Sequence, residues 1–107
     1  MVEVKLVNLE SGQKYQRLFS KDSGTRGIKS GHVILEPGEN IGEHTTSGRE
    51  EVIIILRGSG DVKINKDKIL KVSANAVIYI PPETMHDVKN TGEGILEYVF
   101  VTTQAFL

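Results

Sequence analysis

The 107-residue sequence contains no cysteine, which excludes disulfide bridges, thiolate metal sites and a cysteine nucleophile. It also has no long apolar run. The longest, Val52 to Leu56, is far short of the roughly 18 to 20 residues that cross a bilayer. Thirteen basic residues nearly balance fourteen acidic ones, the formal net charge is -1, and neither sign forms a long block. We therefore expect no membrane and no nucleic-acid partner, and look for small-molecule or protein partners.

Size and the amino-terminal pattern set two further expectations. A length of 107 residues is about one domain, so we expect a single domain over residues 1–107. The first ten residues alternate charged and apolar side chains instead of forming a hydrophobic signal core. That alternation predicts a cytoplasmic protein.

Short β-branched runs separated by turn residues dominate the chain, a pattern typical of an antiparallel sandwich or barrel. No segment has a clear helical pattern. The segment 20–31, with three glycines, is predicted to be a mobile loop. Ten strands are predicted, over residues 2–8, 15–19, 31–36, 43–46, 51–57, 61–65, 68–72, 77–80, 85–89 and 95–102.

The run from Glu51 to Leu56 is apolar on both faces, because alternate residues of a strand point to opposite sides. Glu51, Ile53 and Ile55 share one side, and the apolar residues between them share the other. We expect one side to line the interior of the fold, and more of the chain or a second subunit to cover the other. The apolar end 105–107 is a candidate for part of that cover.

Three side chains able to ligate a metal, His44, Glu51 and His86, lie in strand-like segments bounded by glycine and proline. A tight turn at Ser47-Gly48 would bring His44 to Glu51, and His86, after the rigid Pro81-Pro82 pair, could reach the same cavity. An unpaired carboxylate in an apolar cavity is costly or becomes neutral, and a bound cation removes that penalty. Two imidazoles and one carboxylate suit one divalent ion of zinc, iron, manganese or nickel, with positions left for water or substrate.

The first of these segments resembles a motif of the cupin superfamily. That motif reads Gly, five residues, His, one residue, His, three or four residues, Glu, six residues, Gly. Gly38, His44, Glu51 and Gly58 match it at full spacing. Thr46 stands where the second His is expected, so the resemblance implies three protein ligands instead of the usual four.

The second segment resembles the other cupin motif, which reads Gly, five residues, Pro, one residue, Gly, two residues, His, three residues, Asn. Pro81, His86 and Asn90 match it, whereas Asn75 and Glu83 replace its two glycines. Asparagine tolerates left-handed backbone angles, but glutamate there implies a different turn or some strain.

Together the two motifs imply an all-β fold, namely an antiparallel β-barrel of the jelly-roll (double-stranded β-helix) type. The resemblance also implies a metal inside the barrel, held by His44, Glu51 and His86, and often a homodimer.

Each candidate ligand also has a structural interpretation. His44 can be a hydrogen-bonded strand histidine, and His86 a loop histidine after a proline turn. Glu51 can be a solvated carboxylate, with Glu50 taking its place if a bulge shifts the register. His32 lies outside both motifs and is predicted to be structural, the alternative being an acid/base or substitute ligand in the pocket.

The leading functional hypothesis is a small cupin that binds one divalent metal and presents it to a small polar or anionic ligand. As an enzyme it would be an isomerase or a dioxygenase, and the sequence does not choose between them. The alternative, suggested by Thr46, is a non-catalytic small-molecule-binding or regulatory cupin with little or no metal. Arg49 and Arg57 are interpreted as surface charges.

Overall fold

The computed structural model describes residues 3–105, and its regular structure is almost entirely β. The only helix in this range is a 3-10 turn at Lys21–Ser23, and none of the chain described is a helix long and apolar enough to cross a membrane. The all-β prediction is confirmed. The strands are β1 (Tyr15–Arg17), β2 (Lys29–Leu35), β3 (His44–Thr45), β4 (Arg49–Arg57), β5 (Ser59–Ile64), β6 (Lys68–Ser73), β7 (Val77–Ile80), β8 (Met85–Asn90) and β9 (Leu96–Gln104).

These strands form two antiparallel sheets. The first has the order β1-β2-β9-β4-β7 and the second has the order β3-β8-β5-β6. Side chains from both sheets meet in one apolar core, so the sheets pack face to face. The core consists of Val33, Leu35, Ile53, Ile55, Val62, Val72, Ile78, Ile80, Val88, Leu96 and Tyr98.

Two segments differ from the sequence-based prediction. The predicted strand 2–8 is wrong, because residues 3–8 are exposed and pair with no strand, and residue 2 lies outside the described range. Its alternating pattern suits a strand only where a partner edge and an apolar surface are available. The predicted loop 20–31 is shorter than expected, since it contains the 3-10 turn and its last three residues already belong to β2.

The faces of β4 follow the predicted parity. Glu51, Ile53 and Ile55 are buried and point into the space between the sheets. The opposite face is less covered, since Val52 and Ile54 are partly exposed and Leu56 is 40% exposed. Cover by a second subunit remains a prediction, and the proposed cover at 105–107 lies mostly outside the described residues.

Two motif residues shape the backbone where the chain changes sheet. Gly58 joins β4 of the first sheet to β5 of the second with a φ of 90°, and a Cβ there would collide with the carbonyl oxygen of Ile95. Asn90, at the end of β8, is fully buried. Its Nδ2 donates to the carbonyls of Leu35 and Gly94, both at 2.8 Å, which ties the second sheet to the first.

The two replaced glycines of the second motif retain the backbone that glycine favours. Asn75 has a φ of 77° and Glu83 a φ of 55°. A left-handed conformation costs an ordinary L-residue about 1–2 kcal/mol, and asparagine less. The sequence predicted either a different turn or some strain at Glu83, and the structure has the strained, left-handed backbone.

Candidate metal centre

The structure brings His44, Glu51 and His86 together at one end of the space between the sheets. One potential ligand atom from each lies within 4.8 Å of the others. His44 and His86 are directly opposite each other on β3 and β8, with ring centroids 4.2 Å apart. Glu51 approaches from β4 of the other sheet. The cluster therefore joins both sheets and both sequence motifs.

Glu51 and His86 form the buried part of this cluster. They are 6% and 1% exposed, and Nε2 of His86 lies 3.2 Å from Oε1 of Glu51. The two atoms are close but poorly aligned, so Nε2 has no hydrogen-bond partner among residues 3–105. A buried polar atom is rarely left in this state. A cation between the imidazole and the carboxylate would satisfy both groups.

The other ring nitrogen of each histidine is fixed by the backbone. Nδ1 of His44 lies 2.8 Å from the carbonyl oxygen of Gly42, and Nδ1 of His86 lies 3.2 Å from that of Thr84. A carbonyl oxygen can only accept, so each Nδ1 carries a proton, and in the neutral imidazole each Nε2 therefore keeps its lone pair. Histidines that ligate metals are commonly oriented in this way.

The surroundings of His86 favour a positive charge at this point. Burial alone lowers the pKa of His86, but the nearby carboxylate of Glu51, the carbonyl of Thr84 and the charge of Asp87 together raise it above its ordinary value. Whenever His86 is protonated in the metal-free protein, its positive charge offsets the negative charge of Glu51. A metal ion would replace that proton with a larger positive charge.

Thr46, at the position of the missing histidine, has a structural role. It is buried, and its hydroxyl donates to the carbonyl of Pro81 at 2.8 Å and accepts from the amide of Thr84 at 3.1 Å. It thereby joins the end of the β3 segment to the turn that leads into His86. This hydroxyl positions the two segments that carry His44 and His86.

Two alternative candidates from the sequence lie elsewhere. Glu50 faces away from the cluster and accepts a 2.7 Å hydrogen bond from Tyr79, which raises the pKa of that tyrosine. His32 is fully buried on the opposite face of the first sheet from the cluster, and its Nε2 lies 2.7 Å from Oε2 of Glu97. Neither residue belongs to the cluster.

Two cations beside the cluster were missed by the sequence interpretation. A cavity of about 150 Å³ adjoins Glu51, and Lys29 and Arg49 form part of its wall. Arg49 is partly buried and donates to Thr102 and to the carbonyl of Gly27, so its interpretation as a surface charge is wrong. The alternation of faces along β4 could have predicted the position of Arg49, because a residue two before Glu51 lies on the same face of the strand. The cavity is lined by Lys29, His44, Thr45, Thr46, Arg49, Glu51, Phe100 and Thr102.

The two antiparallel sheets, with a histidine and carboxylate cluster between them, agree with the family that the sequence motifs resemble. The family model Cupin_2, described as a cupin domain, matches residues 31–102, more than half of the chain. This protein therefore belongs to the cupin family, as its two motifs imply.

Curated relatives and solved structures agree with that assignment. Mannose-1-phosphate guanylyltransferases of Sinorhizobium fredii and Salmonella montevideo are each 32% identical to this chain over 75 residues. The match covers 70% of this chain but only 14% and 16% of those proteins. This chain therefore corresponds to a small part of their length.

Among solved structures, one described as a predicted oxalate decarboxylase from Thermotoga maritima superposes with a TM-score of 0.78 and 27% identity, covering 85% of this chain and 79% of that chain. An RmlC-like cupin family protein with a double-stranded β-helix fold from Methanocaldococcus jannaschii gives a TM-score of 0.81 at 20% identity, covering 97% and 93%. At 20% identity, the similarity to this second structure shows the fold alone.

Proposed function

We propose that this protein is a small cupin that binds one divalent metal through His44, Glu51 and His86 and presents it to a small anionic ligand. The observation that supports it most is the pair of histidines whose Nδ1 atoms face backbone carbonyls, leaving both Nε2 lone pairs free beside a buried carboxylate. We further propose that the two sheets close into a jelly-roll barrel, as in the family, and that residues 1–107 form one domain.

The donor set fits a first-row metal. Two imidazoles and one carboxylate suit zinc, iron, manganese or nickel and leave positions open for a ligand. The bound metal would act as a Lewis acid toward an oxygen of that ligand. Thr46 holds the two ligand-bearing segments together, and Phe100 forms an apolar part of the cavity wall.

The charges around the cavity favour an anionic ligand. Lys29 and Arg49 both line it, and neither forms an ion pair within residues 3–105. The names of two similar proteins also point to small anions, since those names contain oxalate and mannose 1-phosphate. As an enzyme, the protein would be an isomerase or a dioxygenase that acts on such a compound.

The exposed outer face of the first sheet supports a homodimer. Val77 and Tyr79 on β7 are 66% and 57% exposed, beside the partly exposed Val52 and Ile54 of β4. Contiguous apolar residues on a sheet face commonly mark a protein interface. Sedimentation equilibrium tests this part of the proposal, and a monomer at micromolar concentration would contradict it.

The metal proposal is tested by elemental analysis and thermal unfolding. Purified protein supplemented with Zn²⁺, Mn²⁺, Fe²⁺ or Ni²⁺ should bind one equivalent of at least one metal. At a free metal concentration 100 times the Kd, stability should rise by about 2.7 kcal/mol. His86→Ala and Glu51→Gln should lose both effects. Glu50→Gln is the matched control, because its carboxylate faces the opposite side of the same strand.

A second candidate function follows from Thr46, whose hydroxyl is occupied by backbone groups. With three protein ligands, the cavity could serve as a metal-free anion pocket that uses Lys29, Arg49 and a protonated His86. Stabilisation by anions that persists with a chelator, together with wild-type protein that stays metal-free after supplementation, would favour this function over the first.

A further inference from the structure

A second cavity lies beside the cavity at Glu51 and shares two lining side chains with it. Its volume is about 330 Å³, larger than the cavity at Glu51. Lys29 and Arg49 line both spaces, so the two cavities have a common wall. The other side chains with charges or hydroxyls around the second cavity are Arg17, Ser20, Lys21 and Asp22.

The second cavity carries an excess of positive charge. Its one carboxylate, Asp22, accepts a 3.1 Å hydrogen bond from Arg17, which neutralises that arginine. Lys21 and Lys29 have no acidic partner anywhere in the range 3–105, and Arg49 donates only to uncharged oxygens. Three cations thus remain uncompensated by the described part of the chain.

A buried hydroxyl that lines the same cavity has no acceptor for its hydrogen. Ser20 is 8% exposed, and its Oγ faces the amide of Ser23 as in a capping box, but its O–H finds no acceptor among the described residues. Its backbone is held in place, because its amide donates to Oγ of Ser23 and its carbonyl accepts from the amides of Ser23 and Thr25. A fixed, buried donor without an acceptor beside three cations matches what an oxyanion requires.

Strand register sets the distance between one of these cations, Lys29, and the candidate metal centre. Lys29, Thr102 and Glu51 occupy one cross-strand row on β2, β9 and β4. Neighbouring strands are about 4.8 Å apart, so the Cα atoms of Lys29 and Glu51 are about 10 Å apart on the same face. A small organic ligand can therefore contact both ends of the row.

We propose that the second cavity is a phosphate subsite of the same binding site, so that the ligand is a small phosphomonoester. Its phosphate would be bound by Lys21, Lys29, Arg49 and the hydroxyl of Ser20, and its hydroxyl or carbonyl oxygen would reach the cluster at Glu51. A dianion suits three uncompensated cations better than a monocarboxylate does. The second half of this inference, contact with the cluster, rests on the proposed function.

The subsite is tested separately from the metal by titrating inorganic phosphate into the Glu51→Gln variant with a chelator, at constant ionic strength. Phosphate should bind. Lys21→Gln should weaken it about tenfold and Ser20→Ala about fivefold, as expected for the loss of one charged and one neutral hydrogen bond. Lys68→Gln, an exposed lysine on the second sheet, is the control. Absent binding, or equal binding by all variants, would overturn the subsite.

The link to the metal centre is tested with glycerol 3-phosphate in the metal-loaded wild type. It should bind at least about tenfold more tightly than inorganic phosphate, a gain expected when two contacts share one ligand. The gain should vanish in Glu51→Gln while phosphate binding persists. Equal affinity for the two compounds would contradict a shared site. Tighter binding of malonate than of glycerol 3-phosphate would contradict the phosphomonoester class.

Discussion

The two ends of the inner face of the first sheet differ sharply, although the same strands build both. Toward one end, Ile55, Tyr98 and Val33 form a cross-strand row of buried apolar side chains. Two rows away, the corresponding positions hold Glu51, Thr102 and Lys29. Four residues along each strand thus separate a packed core from a polar cavity.

This difference separates stability from chemistry. The apolar rows meet Val62 and Val88 of the facing sheet in one continuous core, whereas the polar row meets His44 and His86. Burial of apolar area stabilises the fold, and burial of Glu51 requires a compensating charge. Substitutions at the two ends should therefore have opposite consequences.

The largest expected effect is at the apolar end. Ile55→Ala should lower the free energy of unfolding by about 2–5 kcal/mol, because it leaves a cavity in a packed core. At a pH above the raised pKa of His86, where that imidazole is neutral, Glu51→Gln should leave the stability of the metal-free protein unchanged or higher, since it removes a buried charge with no charged partner. Urea denaturation in the presence of a chelator measures both. Equal destabilisation by the two variants would contradict the separation.

Position 46 should respond in two ways. Thr46→His removes a hydroxyl that joins two backbone segments, so the metal-free protein should lose about 1–3 kcal/mol of stability. The new imidazole should nevertheless tighten metal binding, which calorimetric titration would measure. Thr46→Val, of nearly the same shape, is the control for the lost hydroxyl. Unchanged or weaker metal affinity in Thr46→His would mean that position 46 does not face the metal.

The strained turn before His86 offers a smaller, stabilising change. Glu83→Gly should raise the free energy of unfolding by about 1 kcal/mol, because glycine adopts a φ of 55° without the penalty of a side chain. Asn75→Gly, at the other replaced glycine, should change stability by less. Denaturation midpoints of the two variants test this ranking. A loss of stability in Glu83→Gly would show that the glutamate side chain makes a compensating interaction.

The smallest effect is a dependence on pH. The raised pKa of His86 means that, in the metal-free protein, its contribution to stability is present below its unfolded pKa and is lost as the pH rises through the folded value. Metal binding requires the neutral imidazole, so metal-loaded protein should gain stability over the same range. Thermal unfolding from pH 5 to 8 should give opposite slopes. Parallel slopes would remove His86 as a ligand.

Local sequence pattern predicted the three residues that the structure brings together, but not the residues around them. Glu51 shares parity with Ile53 and Ile55, and the motif spacing carries His44 and His86, so these could be predicted from short segments. Lys29 reaches the cavity only because β2 pairs with β9 and β9 with β4, a register that no local pattern encodes.

Other long-range pairings were equally invisible. His32 contacts Glu97, which is 65 residues away, and the failed strand at 3–8 lacked a partner that its own alternation could not supply. The position of Glu50, by contrast, could be predicted from the alternation of faces alone, because β4 has no bulge near it. Glu50 therefore faces away from the cluster, and its hydrogen bond from Tyr79 agrees with that position.

Anomalous diffraction from crystals grown with Mn²⁺ tests the central claim most directly. We predict one strong peak between the two sheets, bonded to Nε2 of His44, Nε2 of His86 and a carboxylate oxygen of Glu51. Peaks only elsewhere on the molecule, or ligation through Nδ1 of either histidine, would contradict the account.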